Sequence, residues 1–205
     1  MKRLVVLVVI CLALQNIKAE TLVSVEIQKN STISIKGSTN LINFQLVQSS
    51  ENLPNRNFSI SGNQVQNKFM LGEHTIPLAV KGFTSDNIMA IRDFLKLIKA
   101  KEYPIILIHI ISFETGAQKE KELSGKTIAT VNLNITGISK QYLIPIDTKQ
   151  IGDQLILKGS KHISIRDFSL IPPVEMLGLL KVSEWIDIQF DIHCKINALK
   201  MVAIK

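Results

Sequence analysis

The chain has 205 residues, of which 46% are hydrophobic and 20% charged, and its formal net charge is +7. The basic residues are interleaved with acidic ones and form no stripe with aromatic residues, which argues against nucleic-acid binding. The charge leaves open a transient attraction to an anionic membrane surface.

The first residues predict a secretory signal peptide. Lys2 and Arg3 form a charged start, residues 4–14 form an apolar stretch, and Ala19 supplies a small residue before a cleavage site. This stretch is shorter than the roughly 20 residues that a membrane-spanning helix needs, so a retained anchor is the less favoured alternative. We therefore expect cleavage between Ala19 and Glu20 and a mature protein in the periplasm or secreted.

The expected mature chain, residues 20–205, is predicted to form a single domain. Cleavage removes three of the 24 basic side chains, so 21 remain against 17 acidic ones, a net charge of +4. Cys194 is its only cysteine, so no internal disulfide can form. Stability then has to come from one hydrophobic core, and the chain is long enough to build one.

Apolar residues recur at every second position along much of this chain. Residues 23–27, 33–35 and 131–135 are clear examples, and glycine-containing turns separate such runs at short intervals. Short alternating strands with turns of this kind are typical of an antiparallel sandwich or barrel.

The segment 85–101 has a different period. Its apolar side chains follow helical spacing, at Ile88, Ile91, Leu95 and Ile98. Ser85 or Asp86 is expected to cap the start of this helix, and Pro104 prevents its continuation. The helix could close one mouth of a barrel or pack outside the sheet.

Two adjacent prolines, Pro172 and Pro173, predict the end of the strand that precedes them, because proline fixes φ and lacks an amide donor. The apolar residues 174–180 are then expected to cross or cap the sheet. A last strand alternates from Val182 to Ile196, and residues 197–205 are expected to form an edge turn or a frayed end.

The order Asp167-Phe168, Pro172-Pro173, Met176-Leu177-Gly178 and a final alternating strand resembles the YceI-like family of periplasmic, lipocalin-type barrels. Residues 87–94 and 103–106 are similar to a helix and strand of its Bacteroidetes-type members. The resemblance implies an all-β fold, an antiparallel lipocalin-like barrel of about eight strands with one inserted helix. It also implies a long apolar ligand, typically a polyisoprenoid.

No group of residues in the sequence indicates catalysis or a metal site. The histidines have no ligand spacing, at His74, His109, His162 and His193. His193 and Cys194 are neighbours in a strand and point to opposite faces. We expect no enzyme and no cofactor, and catalysis would require His74 or His109 to meet an acid inside a cavity.

Apolar lining is the remaining candidate chemistry. A closed sheet of about eight strands is just wide enough to be filled by side chains or to hold one ligand. Phenylalanine and methionine suit a long isoprenoid or acyl chain. The predicted lining residues are Phe44, Phe58, Phe69, Met70, Phe83, Met89, Phe94, Phe113, Phe168, Met176, Leu177 and Phe190.

The expected function is non-catalytic binding of a polyisoprenoid, an isoprenoid quinone or an acyl chain in the barrel lumen. The alternative is a filled barrel that acts as an envelope-stress or protein-interaction module. The sequence leaves open whether the chain forms a homodimer.

Overall fold

The computed structural model describes residues 19–53, 56–115, 125–175 and 179–203. Apart from Ala19, the predicted signal peptide lies outside these residues. The strands are β1 (Ala19–Ile27), β2 (Thr32–Ser38), β3 (Asn43–Ser49), β4 (Asn57–Val65), β5 (Lys68–Leu71), β6 (Thr75–Ala79), β7 (Ile105–Thr115), β8 (Gly125–Ile135), β9 (Ile138–Ile151), β10 (Gln154–Ser164), β11 (Val174–Glu175), β12 (Leu180–Lys181) and β13 (Trp185–Ala203).

The described residues contain one α-helix, α1 (Ile88–Leu97), between β6 and β7. Three short 3-10 helices connect strands, at Ser50–Asn52, Val80–Gly82 and Ile165–Phe168. None of the helices in the described ranges has the length and apolar character needed to cross a membrane.

Eight strands form a closed antiparallel ring. Their order is β1, β4, β5, β7, β8, β9, β10 and β13, and β13 pairs with β1 to complete the circle. The lipocalin-like barrel with an inserted helix is therefore confirmed. Closure leaves the ring strands without free edges, and the alternating apolar residues face the interior.

Two strands of the ring change partners along their length, and this divides the barrel into two ends. β13 pairs with β2 through Asp187–Asp191 and with β1 through its last residues. β7 likewise pairs first with β6 and then with β5. We call the part enclosed by β2, β3 and β6 the helix end, because α1 packs there against β3. The part enclosed by β1, β4 and β5 is the far end.

The predicted helix is shorter than expected and has a different cap. It begins after Asn87, whose Oδ1 accepts hydrogen bonds from the amides of Met89 and Ala90 at 3.0 and 3.1 Å. Ser85 is engaged elsewhere, since its hydroxyl donates to the carbonyl oxygen of Gln45 at 2.7 Å. The helix ends at Leu97, and Lys99 adopts a left-handed conformation with φ of 52°. The helix lies within the expected span of about 85–101, but its cap is Asn87 rather than Ser85 or Asp86.

The last strand starts and ends at different residues from those predicted. The last strand begins at Trp185 rather than Val182, which forms only an isolated bridge with Thr39. The strand then continues through Ala203, which pairs with Ala19. Residues 197–203 are therefore not a frayed end, because the backbone groups of β1 need hydrogen-bond partners and these residues supply them. Between the prolines and this strand, β11 and β12 form a small two-stranded sheet.

Candidate functional site

A cavity of about 180 Å³ lies inside the helix end of the barrel. Its wall consists mainly of inward-facing aliphatic side chains from seven strands. They include Ile33, Ile35, Leu46, Leu78, Ile106, Ile108, Leu133, Ile135, Ile163, Ile186 and Ile188. Four polar residues complete the lining, namely Thr39, Asn87, Asp93 and Ser183. The cavity is therefore suited to an apolar guest.

Helix α1 covers this cavity. Ala90, Phe94 and Leu97 of its inner face line the cavity, and the ring of Phe94 packs edge-on against that of Phe83, with centroids 5.3 Å apart. Of the two positions that the sequence allowed for the helix, the structure has the one at the barrel mouth. The helical spacing of its apolar residues provides the face that closes the barrel.

The mouth of the cavity is built from three segments. One is the turn between β2 and β3, another is the start of α1, and the third comprises Leu170, Pro173 and residues 180–183. The first and third are joined by the side chain of Asn40, which donates to the carbonyl oxygen of Leu179 and accepts from the amide of Lys181, both at 3.0 Å. Pro173 and Leu180 line the cavity beside β11 and β12, whereas residues 176–178 of the segment predicted to cross or cap the sheet lie outside the described residues.

The twelve predicted lining residues fall into four groups. The first group lines the cavity and comprises Phe44, Phe83, Met89, Phe94 and Phe168. The second lies on the inner face away from the cavity and comprises Phe58, Phe69 and Phe113 of the far end and Phe190, which lies at the boundary between the ends and pairs in register with Ile33 of β2. Met70 follows Phe69 in β5 and points to the opposite, outer face. Met176 and Leu177 lie outside the described residues. Whether any of these residues binds a ligand stays a prediction.

The phenylalanines that lie away from the cavity pack against strand backbone and against a small buried cluster of side chains. Phe190 lies over Gly159, where an added Cβ would be only 2.5 Å from the ring Cζ and 2.9 Å from the carbonyl oxygen of Pro145. Phe113 is the register partner of both Phe69 and Ala129. Phe113 and Phe190 pack on a buried cluster, Ala129, Val131 and Ile146. No residue of this cluster lines the cavity.

Sequence reasoning missed the aliphatic residues that form most of the cavity wall. The signal was present, because these residues occupy the inward positions of alternating strands. Counting inward isoleucines and leucines beside the helix would have found them. Selecting residues by type, as phenylalanine or methionine, found five lining residues but also selected four phenylalanines that lie away from the cavity.

The ionisable side chains near the barrel interior do not form a catalytic group. The hydroxyl of Tyr142 donates to Asp167 Oδ2 at 2.9 Å, and burial together with this carboxylate raises the pKa of Tyr142. Burial raises the pKa of the Cys194 thiol to about 11. Burial and the neighbouring His109 lower the pKa of His74, and neither histidine lines the cavity. In the described ranges, no three His, Cys, Asp or Glu side chains are placed to hold a metal ion.

A larger depression, of about 600 Å³, lies on the outer wall across β2, β8, β9, β10 and β13. It is an open groove and its lining carries charges of both signs, from Lys126, Asp147, Lys158 and Asp191. Lys158 Nζ and Asp191 Oδ2 are already paired at 2.7 Å. This groove therefore presents no single ligand chemistry, whereas the smaller internal cavity does.

Comparison with known proteins identifies the class of fold. No protein-family model matches the sequence, and no curated protein matches it either. BcnA of Burkholderia cenocepacia is similar in structure, with a TM-score of 0.62 and 16% identity over 82% of this chain and 99% of that chain. A polyisoprenoid-binding domain from Saccharophagus degradans has a TM-score of 0.56 and 12% identity over 84% of this chain and 97% of that one.

A Campylobacter jejuni YceI protein is a more distant match, with a TM-score of 0.47 and 14% identity over 63% of this chain and 74% of that chain. The first two likenesses span nearly the whole length of those proteins. They show that this chain shares the β-barrel fold of those two proteins, in agreement with the barrel that the sequence resemblance implies. The narrower resemblance to Bacteroidetes-type members stays a prediction.

Proposed function

We propose that this protein binds a long apolar chain, such as a polyisoprenoid, an isoprenoid quinone or an acyl chain, with one end of that chain inside the helix end of the barrel. The observation that carries the proposal is the cavity under α1, whose wall is apolar apart from four polar residues. The likeness of the fold to a polyisoprenoid-binding domain supports the same ligand class.

The volume of the cavity limits how much ligand it holds. An apolar cavity of about 150 Å³ takes up one benzene molecule, so about 180 Å³ has room for six or seven carbon atoms. This is slightly more than one isoprene unit. At about 0.8 kcal/mol for each buried methylene, the enclosed part contributes about 5 kcal/mol, near the lower limit of the cost of association. Tight binding therefore requires further apolar contacts for the rest of the chain.

The proposed role is non-catalytic. Among the polar residues of the lining, Asp93 is the one carboxylate, and it is paired with Arg92 at 3.3 Å. The lining contains no histidine or cysteine that could act with it as an acid–base pair or nucleophile. We place this binding role in the periplasm or outside the cell, a proposal that rests on the predicted signal peptide and cleavage between Ala19 and Glu20.

Titration with prenols of increasing length tests the proposal. We expect the affinity of the purified protein for geraniol, farnesol and geranylgeraniol to rise with chain length, as measured by calorimetry and by the increase in melting temperature. Organic extraction and mass spectrometry of the protein from the producing cells would identify any co-purified lipid.

A pair of variants at Ala90 ties binding to the cavity. Ala90→Phe places a ring from α1 into the cavity and should reduce farnesol affinity at least about 100-fold, because the ring takes the space of the enclosed carbons. Ala90→Ser changes the same helix position and leaves the cavity open, so it should bind like the wild type. If wild-type protein shows no thermal shift with any prenol and carries no lipid, the proposal is wrong, and the alternative of a protein-interaction module is favoured.

A further inference from the structure

Four pairs of consecutive apolar residues surround the mouth of the cavity. In each pair one residue lines the cavity and its neighbour points into solvent. The pairs are Leu41–Ile42, Ile88–Met89, Leu170–Ile171 and Leu179–Leu180. The outward members, Leu41, Ile88, Ile171 and Leu179, are 73%, 80%, 76% and 72% exposed. We call these four side chains the rim.

The rim is specific to this end of the barrel. Its members are the four large apolar side chains in the described ranges that are more than 70% exposed. The turns of the far end have Val65 and Ile151 at 49% and 52%, and the most exposed large apolar residue on the outer wall of the ring strands is Leu143, at 57%. Exposed apolar side chains concentrated in this way mark an interaction surface.

The rim and the cavity form one continuous apolar surface. Ile42 and Met89 both line the cavity and are about half exposed, so they connect the interior to the rim. The bonds from Asn40 to Leu179 and Lys181 fix two of the rim segments to each other, as described for the mouth. A chain leaving the cavity therefore passes directly between the rim side chains.

We propose that the rim inserts into the surface of a lipid bilayer and seats the mouth of the barrel on the membrane. This inference rests on the proposed function. The cavity encloses only six or seven carbons, so the rest of a long chain needs apolar surroundings that the barrel interior does not provide. A bilayer pressed against the rim provides them, and the bound chain then passes between membrane and cavity without crossing water.

The charges beside the rim indicate how it binds. Asp86 is exposed next to the start of α1, and Lys181 is exposed beside Leu180. Since the rim has neighbours of both signs, insertion depends on apolar area rather than on attraction to anionic lipids. Binding to vesicles should therefore change less than about threefold between low and high salt, and neutral vesicles should be bound about as well as anionic ones.

Flotation with vesicles tests the proposal. The rim variant carries Leu41→Thr, Ile88→Thr, Ile171→Thr and Leu179→Thr. A control variant carries the same change at four outward-facing apolar residues away from the mouth, as Leu107→Thr, Ile128→Thr, Leu143→Thr and Ile151→Thr. Each protein is mixed with vesicles of phosphatidylcholine, with or without phosphatidylglycerol, and farnesol binding is measured in parallel without vesicles.

We expect the wild type to float with the vesicles, the rim variant to bind them about 100-fold more weakly, and the control variant to stay within about threefold of the wild type. All three should keep their melting temperatures, because the changed side chains are exposed. All three should still bind farnesol through the cavity, and the rim variant should bind it more weakly, because the carbons outside the cavity pass between the rim side chains. A second readout uses Leu41→Cys labelled with an environment-sensitive fluorophore, whose emission should shift to the blue on adding vesicles. Cys194 is buried and stays unlabelled.

The outcomes separate this inference from the proposed function. Wild-type protein that binds farnesol but does not float overturns membrane docking and leaves ligand binding intact. Protein that floats through its rim but binds no prenol supports docking and removes the proposed function. Equal flotation of the rim variant and the wild type overturns the inference. A rim that serves only as a dimer interface also overturns it. In that case the wild type is a dimer, the rim variant is a monomer, and neither floats.

Discussion

The two ends of the barrel are lined by different side chains, and the difference decides where a cavity remains. At the helix end, isoleucine and leucine side chains form most of the lining, together with Phe44, Phe83, Phe94 and Phe168, and about 180 Å³ stays open. Towards the far end, Phe69, Phe113 and Phe190 extend from the inner face beside Ala129 and Val131. Phe69 and Phe190 lie over Gly62 and Gly159, so their rings reach across the tube, whereas the branched aliphatics that dominate the helix end stay close to their own strands.

Replacing a phenylalanine at each end is the strongest test of this difference. Phe113→Ala at the far end should lower the free energy of unfolding by about 3 kcal/mol, because it creates a hole in a packed region. Phe44→Ala at the helix end should cost about 1 kcal/mol, because Phe44 already borders open space. Urea denaturation gives both values. Equal losses would mean that the two ends are packed alike.

A pH titration of stability examines the dry interior of the far end. Cys194 lies there, paired in register with Leu155 and Ile27, and its pKa is raised to about 11 from 9.0. Because the pKa of Cys194 is higher in the folded state than in the unfolded state, the contribution of the protonated thiol to the free energy of unfolding is complete below pH 9 and is lost as pH rises to 11. The loss should be about 2 to 3 kcal/mol.

Cys194→Ala removes this contribution and provides the comparison. The difference in unfolding free energy between wild type and variant should shrink between pH 9 and 11. Tyr142 also has a raised pKa, so its titration lowers the free energy of unfolding in the same direction. This effect is the same in both proteins and cancels in the difference. A difference that stays constant over this range would show that the thiol of Cys194 is hydrated in the folded protein.

The smallest expected effect concerns the helix that covers the cavity. Asn87→Ala removes the acceptor for the amides of Met89 and Ala90, and should cost about 1 kcal/mol of unfolding free energy. Asp86→Ala, one position earlier, should cost less than about 0.5 kcal/mol, because Asp86 is exposed and does not cap the helix. Chemical denaturation measures both. If Asp86→Ala cost more than Asn87→Ala, the helix cap would be Asp86, one of the two residues expected from the sequence.

The sequence predicted the barrel and the helix because both have clear periods. Alternation in segments such as 131–135 and 182–196 defines the inner face of a strand, and the spacing of Ile88, Ile91 and Leu95 defines a helix. The cap could not be predicted, since Ser85, Asp86 and Asn87 are all good caps. Tertiary contact decides among them, because Ser85 bonds to Gln45.

The location of the cavity was beyond sequence because it depends on which strand halves face each other. Phe58 and Phe190 alternate inward as predicted, yet neither lines the cavity. The partner changes along β7 and β13 create that division, and no local pattern marks them. The extension of β13 to Ala203 could not be predicted either, because it depends on pairing with β1, which is distant in sequence.

The pairing of β1 with the end of β13 has a consequence for how the chain is made. The ring closes between β1 and residues 194–203 of β13, so a chain still emerging from the ribosome or a translocation channel holds an open sheet with two unpaired edges. Closure requires contacts between residues at opposite termini, which makes it a late event. The change from open sheet to closed barrel thus waits for the residues of β13 that pair with β1. A chain that lacks them would be prone to self-association.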